Sequence, residues 1–188
     1  MGQSRADIVS FDEERLILVD ENNQVLGYDS KVACHQGKGQ LHRAFSLFVF
    51  NRNNELLLQQ RSAHKPLWPR YWSNSCCSHP RRGEGEPESV ERRVREELAI
   101  TVQPAFLYRF SYYAPFGEAG AERELCSVYI ARSDAHVEVN ENEVADWCYI
   151  TPEAMDRELA ETPERYTPWL RLEWPCLRNS FWDRVKTL

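Results

Sequence analysis

The chain lacks the long apolar runs that mark membrane proteins and exported precursors. No hydrophobic stretch among its 188 residues approaches the roughly 20 residues needed to cross a bilayer. Its N-terminus, MGQSRADIVSFDEE, has no apolar core of the kind found in signal peptides. We therefore expect a cytoplasmic protein that does not use a membrane as a partner.

An excess of positive charge is also absent. The formal net charge is −6, which speaks against a nucleic-acid-binding surface. Basic residues are nonetheless concentrated between positions 61 and 95. Such a local cluster in an acidic protein suggests a small anionic ligand, although for any single arginine there a solvated surface is the more common explanation.

Internal repeats and low-complexity linkers are missing, so the sequence offers no domain boundary. With 42% hydrophobic and 28% charged residues, the composition is that of an ordinary globular chain. We expect one domain that covers residues 1–188 and a protein that is a monomer.

Six cysteines are present, but a disulfide framework is typical of small secreted chains, and in a reducing compartment most cysteines are small buried residues. Two of them, Cys76 and Cys77, stand beside His79 in the stretch YWSNSCCSHP. Four interpretations are open for this group: core packing, a disulfide, a zinc site or a reactive centre.

The pattern of apolar residues predicts an α/β protein of the α+β type, in which a mixed β-sheet is packed between helices. Pairs of strands separated by short polar turns predict two hairpins. Proline in a first turn, after threonine in two cases, predicts helix starts near 86, 152 and 168. The predicted strands are 15–20, 24–28, 43–50, 55–60, 105–114, 124–131 and 146–150, and residues 61–86 are predicted to form a long functional loop.

The helix that begins near Glu86 carries a charge pattern with two interpretations. Arg92 and Glu96, like Arg93 and Glu97, are four residues apart, as in ordinary surface ion pairs. The same stretch also fits the Nudix box, G-x5-E-x7-R-E-U-x-E-E-x-G-U, where U is aliphatic. Three positions depart from the box, because Ser78 and Ala99 replace glycines and Arg93 replaces a glutamate.

With Cys77 and His79 around its start, this altered box resembles that of the type I isopentenyl-diphosphate isomerases, a family of the Nudix superfamily. The resemblance extends through segments 31–46, 60–80 and 122–124 to Thr167-Pro168-Trp169, and is strongest over residues 31–169. It implies a Nudix-like fold and the conversion of isopentenyl diphosphate into dimethylallyl diphosphate for isoprenoid biosynthesis. The implied reaction is a 1,3-proton shift through a tertiary cation.

The resemblance also implies roles for individual residues. Cys77 and Glu124 would form the acid–base pair, with Tyr112 hydrogen-bonded to Glu124 and Trp169 facing the cation. The substrate's diphosphate would be bound by Lys31, Arg61, Lys65 and Arg93, together with a Mg²⁺ ion held by Glu97 and, as a further candidate ligand, the Cys77 backbone. A second divalent ion, Mn²⁺ or Zn²⁺, would be held by His35, His42, His79, Glu122 and Glu124.

Two other functions remain open at this point. A Nudix-type diphosphate hydrolase would explain the box, but it does not need Arg93 there or the Cys77 and His79 pair. A zinc-binding interaction module would use both adjacent cysteines, but the Cys-Ser-His spacing is tighter than in zinc fingers. Because side chains alternate along an extended chain, we assign Cys76 to packing and Cys77 to the reactive site.

Overall fold

The computed structural model describes residues 6–188, so the first five residues of the predicted domain lie outside the described part. The strands are β1 (Arg15–Val19), β2 (Val25–Ser30), β3 (His42–Phe50), β4 (Leu56–Arg61), β5 (Trp72–Ser73), β6 (Cys76–Ser78), β7 (Ala105–Pro115), β8 (Ala121–Arg132) and β9 (Val144–Ile150). The helices are α1 (Lys31–His35), α2 (Glu86–Leu98), α3 (Pro152–Glu161), α4 (Pro168–Cys176) and α5 (Trp182–Lys186), with a 3₁₀ turn at Pro163–Arg165 and a π-helical turn at Leu177–Phe181. None of the helices within 6–188 is both long enough and apolar enough to span a bilayer.

Strand β3 is the centre of a mixed nine-stranded sheet. Along one edge it pairs with the parallel strand β8, which in turn pairs with β7. Along its other edge, β1, β6 and β4 follow one another in antiparallel pairing. Strands β5 and β9 extend the sheet from β4, and β2 extends it from β1.

Alternate residues of β3 face two different cores, because successive side chains of a strand point to opposite faces. Phe45, Leu47 and Val49 pack in the core that contains Val90 and Val94 of α2. Phe48 and Phe50 pack in the other core, against helices α3 and α4. The sheet therefore lies between helices, and the predicted fold class is confirmed.

The predicted long loop at 61–86 contains two short strands, so this prediction was wrong for residues 72–73 and 76–78. Residues Cys76, Cys77 and Ser78 pair with Leu47, Ser46 and Phe45 of β3. The sequence pattern missed β6 because three residues are too few to show an alternation of apolar and polar side chains. The pairing fixes which of the two cysteines faces each side of the sheet.

Helix α2 ends at a residue with a strained backbone. Ala99 follows its last turn with φ of 56°, in the left-handed region, at the position where the Nudix box has glycine. That conformation costs an L-residue roughly 1–2 kcal/mol relative to glycine. Ser78, the other residue that replaces a glycine, pairs with Phe45 as part of β6 and needs no left-handed backbone.

Candidate active site

A cavity of about 620 Å³ brings together most of the residues that the sequence singles out. The predicted reactive residues that line it are Cys77, Glu124, Tyr112 and Trp169. The predicted diphosphate-binding residues that line it are Lys31, Arg61, Lys65 and Arg93. The cavity therefore combines a thiol, a carboxyl group and aromatic rings with four cationic side chains.

Five potential metal ligands converge beside this cavity. One ligand atom from each of His35, His42, His79, Glu122 and Glu124 lies within 4.8 Å of all the others. They come from the end of α1, the start of β3, the residue after β6 and the start of β8. The parallel pairing of β3 with β8 places His42 directly beside Glu124.

Hydrogen bonds from two of the imidazoles fix their orientation. His35 Nδ1 lies 2.6 Å from the Lys31 carbonyl oxygen, and His42 Nδ1 lies 2.7 Å from that of Gln40. Each Nδ1–H can therefore donate to a carbonyl, which leaves Nε2 as the atom with a free lone pair. His42 Nε2 is buried and has no hydrogen-bond partner in the described structure.

The local electrostatics keep the imidazoles of His42 and His79 neutral and one carboxylate ionised. Burial opposes protonation of His35, but the Glu122 carboxylate outweighs it and raises the pKa of His35. Burial, assisted by the nearby His35 ring, lowers the pKa of His42 to about 4. Burial and the His42 ring lower the pKa of His79 well below its usual range. Burial opposes ionisation of Glu122, but the His35 ring outweighs it and lowers the pKa of that carboxyl to about 2. Neutral imidazoles and a carboxylate are the form in which these side chains bind a divalent cation.

Glu124 presents its two oxygens to different partners. Its Oε1 lies 3.0 Å from His79 Nε2, whereas its Oε2 accepts a hydrogen bond of 2.6 Å from Tyr112 Oη, as the resemblance had predicted. Burial, followed by the charge of Glu122, raises the pKa of Glu124 well above its usual range. Burial also raises the pKa of Tyr112, so its hydroxyl remains a donor. The Oε2 side of Glu124 is thus suited to hold an exchangeable proton.

Cys77 is held by an asparagine that the sequence analysis missed. Its Sγ donates to Asn74 Oδ1 at 2.7 Å, and the same oxygen accepts from Trp169 Nε1 at 3.2 Å. Asn74 Nδ2 donates to the carbonyl oxygens of Leu47 and Cys76, which fixes the amide. The only signal in the sequence was an Asn three residues before the cysteine, in a segment predicted to be a loop.

The two adjacent cysteines have different surroundings. Cys76 is fully buried in the core that contains Leu47 and Val90, whereas Cys77 lines the cavity. All six cysteines are free thiols. In the described part of the chain, the group of potential metal ligands includes His79 but neither cysteine, which removes the support for a zinc module built on Cys76 and Cys77.

The cationic end of the cavity is a network of ion pairs. Arg93 donates to Glu97 Oε1 at 2.5 Å, to Glu143 Oε2 at 3.2 Å and to the Val9 carbonyl oxygen at 3.0 Å. Lys65 also pairs with Glu143. Glu143, which the sequence analysis missed, lines the cavity; burial opposes its ionisation, but Lys65 and Arg93 lower its pKa to about 2.

Two further cations are anchored at this end of the cavity. Arg61 donates to the carbonyl oxygens of Leu67 and Trp68 at 2.9 and 3.1 Å, and its guanidinium carbon lies 5.2 Å from the centre of the Trp169 ring. Lys31 donates to Ser10 Oγ. Burial, with Lys65 nearby, lowers the pKa of Lys31 to about 8.

Glu97 occupies a different position from the other predicted metal ligands. Its carboxylate is buried, bonded to Arg93 and to Gln59 Nε2 at 3.2 Å. It lies outside both the group of five ligands and the lining of the cavity. Its role as a Mg²⁺ ligand stays a prediction.

Comparison with known structures supports the fold. A protein of Deinococcus radiodurans superposes with a TM-score of 0.71 at 26% identity, covering 86% of this chain and 98% of that one. A MutT protein of Methanosarcina mazei superposes with a TM-score of 0.61 at 18% identity, covering 73% of this chain and 93% of that one. The second likeness concerns the fold alone.

Comparison of sequences identifies the family. The family model of the NUDIX domain matches residues 40–170. Isopentenyl-diphosphate Delta-isomerase 1 of Photorhabdus laumondii is 39% identical over 174 residues, which cover 92% of this chain and 99% of that protein. The isopentenyl-diphosphate delta-isomerase of Schizosaccharomyces pombe is 35% identical, covering 97% of this chain and 92% of that protein. From its NUDIX domain and this similarity over nearly its whole length, we conclude that the chain belongs to the isopentenyl-diphosphate Delta-isomerase family.

Proposed function

We propose that this protein converts isopentenyl diphosphate into dimethylallyl diphosphate in isoprenoid precursor biosynthesis. The observation that carries the proposal is the composition of a single cavity. A thiol and a hydrogen-bonded carboxyl, Cys77 and Glu124, line the same cavity as four cationic side chains. A Nudix hydrolase needs neither the Cys77 thiol nor an arginine at position 93.

The first step of the proposed reaction is protonation of the alkene. The proton on Glu124 passes to the terminal carbon of the double bond, and the π electrons form the new C–H bond. This leaves a tertiary cation at the branched carbon and a carboxylate at Glu124. Tyr112 Oη, which donates to Glu124 Oε2 at 2.6 Å, stabilises the carboxylate that forms.

The second step removes a proton from the carbon on the diphosphate side of the cation. In this structure Cys77 is a thiol that donates to Asn74 Oδ1, and burial, followed by the charge of Glu173, raises its pKa. Once the thiol proton has been lost to solvent, the thiolate takes the substrate proton, and the C–H electron pair forms the new double bond. The substrate has then gained one proton and lost one, while Cys77 has become a thiol. Positioned acid–base groups of this kind contribute about 10²–10⁴-fold to a rate.

An aromatic ring would stabilise the tertiary cation formed in the first step. Trp169 lines the cavity, and its Nε1 is anchored to Ser73 Oγ at 2.9 Å and to Asn74 Oδ1. Cation–π attraction in a desolvated site is worth about 2 kcal/mol. That corresponds to roughly thirty-fold in rate, so the tryptophan assists the reaction but the acid–base pair must supply more.

The proposed metal ions follow from the donor sets. We assign Mn²⁺ or Zn²⁺ to the three histidines with Glu122 and Glu124, because these five ligand atoms converge and buried His42 Nε2 has no hydrogen-bond partner in the described structure. A divalent ion there would supply positive charge that favours release of the Glu124 proton. We assign Mg²⁺ to the diphosphate, with Glu97 as its protein ligand and the Cys77 backbone as a candidate. We further propose that residues 1–188 form one domain of a monomeric cytoplasmic protein.

A product assay tests the proposal. Purified protein with Mg²⁺ and Mn²⁺ is given isopentenyl diphosphate in D₂O, and the reaction is followed by proton NMR. We expect dimethylallyl diphosphate that carries deuterium from the solvent. Release of phosphate or of a monophosphate would show a hydrolase instead, and an unchanged substrate with folded, metal-loaded protein would contradict the proposed function.

A further inference from the structure

A buried carboxylate stands among the cations at one end of the cavity. Glu143, in the turn before β9, lines the cavity together with Lys65 and Arg93. A negative charge there repels the phosphate groups that these cations are proposed to bind. Neither the reaction nor the metal sites described above use this carboxylate, so its position calls for an explanation.

The two cations contact the same oxygen of this carboxylate. Lys65 Nζ and Arg93 Nη2 each pair with Glu143 Oε2, the arginine at a distance of 3.2 Å. The lysine belongs to the loop after β4 and the arginine to helix α2, so they come from separate parts of the chain. Two positive groups that approach one atom repel each other, and the carboxylate between them offsets this repulsion.

Both cations keep donors for a further anion. An ammonium group has three N–H donors, and the pair of Lys65 with Glu143 uses one of them. Arg93 Nε is buried and has no hydrogen-bond partner in the described structure. Glu143 therefore holds the two groups without using all of their donors.

The turn that carries Glu143 is bonded to both segments that carry the cations. The Ser62 N–H, in the loop that contains the lysine, donates to the Glu143 carbonyl oxygen at 3.0 Å. The Asn140 N–H donates to the Glu97 carbonyl oxygen in helix α2 at 2.8 Å, and the Glu143 N–H donates to the Asn140 carbonyl oxygen at 2.9 Å. The backbone therefore fixes the place from which the carboxylate reaches its partners.

We propose that Glu143 is a positioning residue for the substrate's diphosphate. It holds the ammonium of Lys65 and the guanidinium of Arg93 at one end of the cavity, where phosphate oxygens can accept from both groups. The carboxylate acts through these cations and does not itself touch the substrate. This inference rests on the proposed function, in which the same cations bind isopentenyl diphosphate.

Binding of inorganic diphosphate to Glu143→Gln tests this role, because two explanations predict opposite results. The amide keeps the shape of the side chain and removes its charge. If Glu143 only repelled the ligand, its loss would tighten binding. If it positions the cations, we expect the Kd to rise by about 10–100-fold, as for groups that orient metal ligands. Calorimetric titration of the metal-loaded protein measures the Kd, and an unchanged or lower value in Glu143→Gln would overturn the inference.

Steady-state kinetics with isopentenyl diphosphate provide a second readout. In Glu143→Gln the KM should rise while kcat changes little, because the diphosphate contacts are made in the ground state and in the transition state alike. A loss of kcat with an unchanged KM would contradict the proposed role. The matched control is Glu141→Gln, which removes an exposed carboxylate from the same turn and should leave both constants and the Kd unchanged.

The conservative variant Glu143→Asp keeps the charge but shortens the side chain by one methylene. Its Kd for inorganic diphosphate should lie between those of the wild type and Glu143→Gln, and weaker binding than in the glutamine variant would contradict a role for the charge. Should Glu143→Gln not fold, the aspartate variant decides alone. We then expect a Kd several-fold above that of the wild type, and an unchanged Kd would overturn the inference.

The contact with the lysine is tested in a double-mutant cycle. In a Lys65→Gln background, Glu143→Gln should weaken diphosphate binding less than it does in the wild type, because one of its two partners is already absent. Additive losses would contradict the inference. Failure of the proposed function would differ, since the wild type would then bind inorganic diphosphate without isomerising isopentenyl diphosphate.

Discussion

At the scale of single residues, strand β6 separates two chemically identical side chains. Cys76 pairs with Leu47 and Cys77 with Ser46, so their side chains point to opposite faces of the sheet. One face is the packed core under α2, and the other is the cavity. The two thiols therefore provide a matched pair of substitutions in which the removed atom is the same.

We expect Cys77→Ala to lower turnover by about 10²–10⁴-fold, because it removes the proposed proton acceptor. Cys76→Ala should keep most of the activity and destabilise the fold by about 1 kcal/mol through the small void that it leaves. Turnover and thermal unfolding of both variants check this. Equal losses of turnover would contradict the assignment of the reactive sulfur to Cys77.

Glu124→Gln should separate binding from chemistry. The amide keeps the shape of the side chain and can still accept from Tyr112, but it has no acidic proton to give to the alkene. We expect turnover to fall by about 10²–10⁴-fold while the Kd for dimethylallyl diphosphate, measured by calorimetry, changes little. A comparable loss of binding would show that Glu124 is needed for the structure of the site and would contradict its role as the proton donor.

At the scale of elements, helix α2 shows what a departure from the family pattern costs. Ala99 ends the helix with a left-handed backbone. We expect Ala99→Gly to stabilise the protein by about 0.5–1 kcal/mol, since relief of strain exceeds the greater flexibility of glycine in the unfolded chain. The matched control is Ala160→Gly in helix α3, which should destabilise by up to about 1 kcal/mol. Denaturant unfolding of both variants measures the difference, and a destabilised Ala99→Gly would contradict the argument.

The same elements show how much of the fold could be predicted from the sequence. Helix α2 was predictable because Pro87 starts it and because Val90, Val94 and Leu98 recur at helical spacing. The residues that line the cavity were predictable only through the family resemblance. Helix α1 and strand β6, at five and three residues, are too short for a periodic pattern to reveal.

Residues that act through tertiary contacts were missed for a related reason. Asn74 has only a weak local signal, its place three residues before Cys77, and Glu143 has none, because its partners lie far away in the sequence. Glu143 can form its ion pairs with Lys65 and Arg93 only when β9 is paired with β4. In the sequence, Glu173 resembles an ordinary polar residue of an amphipathic helix, and only the structure shows that it is completely buried.

At the scale of the whole molecule, the five metal ligands tie together α1, β3, β8 and the segment after β6. An ion that binds only the folded chain stabilises it by about 2.7 kcal/mol when its concentration is a hundred times the Kd. For a chain of this size we expect Tm to rise by about 5–10 °C with Mn²⁺ or Zn²⁺ and to fall again with a chelator.

His42→Ala should abolish this rise in Tm, since it removes a fully buried imidazole whose Nε2 has no hydrogen-bond partner in the described structure. His136→Ala, which changes an exposed histidine outside the group of five, should keep it. Calorimetric scans with and without the metal ion make the comparison. An unchanged rise in Tm in His42→Ala would contradict the assignment of the site.

The parallel pairing of β3 with β8 also determines when the site can form during folding. His42 and Glu124 become neighbours only when two strands far apart in the sequence have joined, and the intervening hairpin, loop and helix must be enclosed in between. Closing so long a loop is slow, because its entropy is lost before the contacts that reward it are made. We therefore expect the metal ligands and the proposed proton donor to assemble late in folding, after most of the sheet has formed.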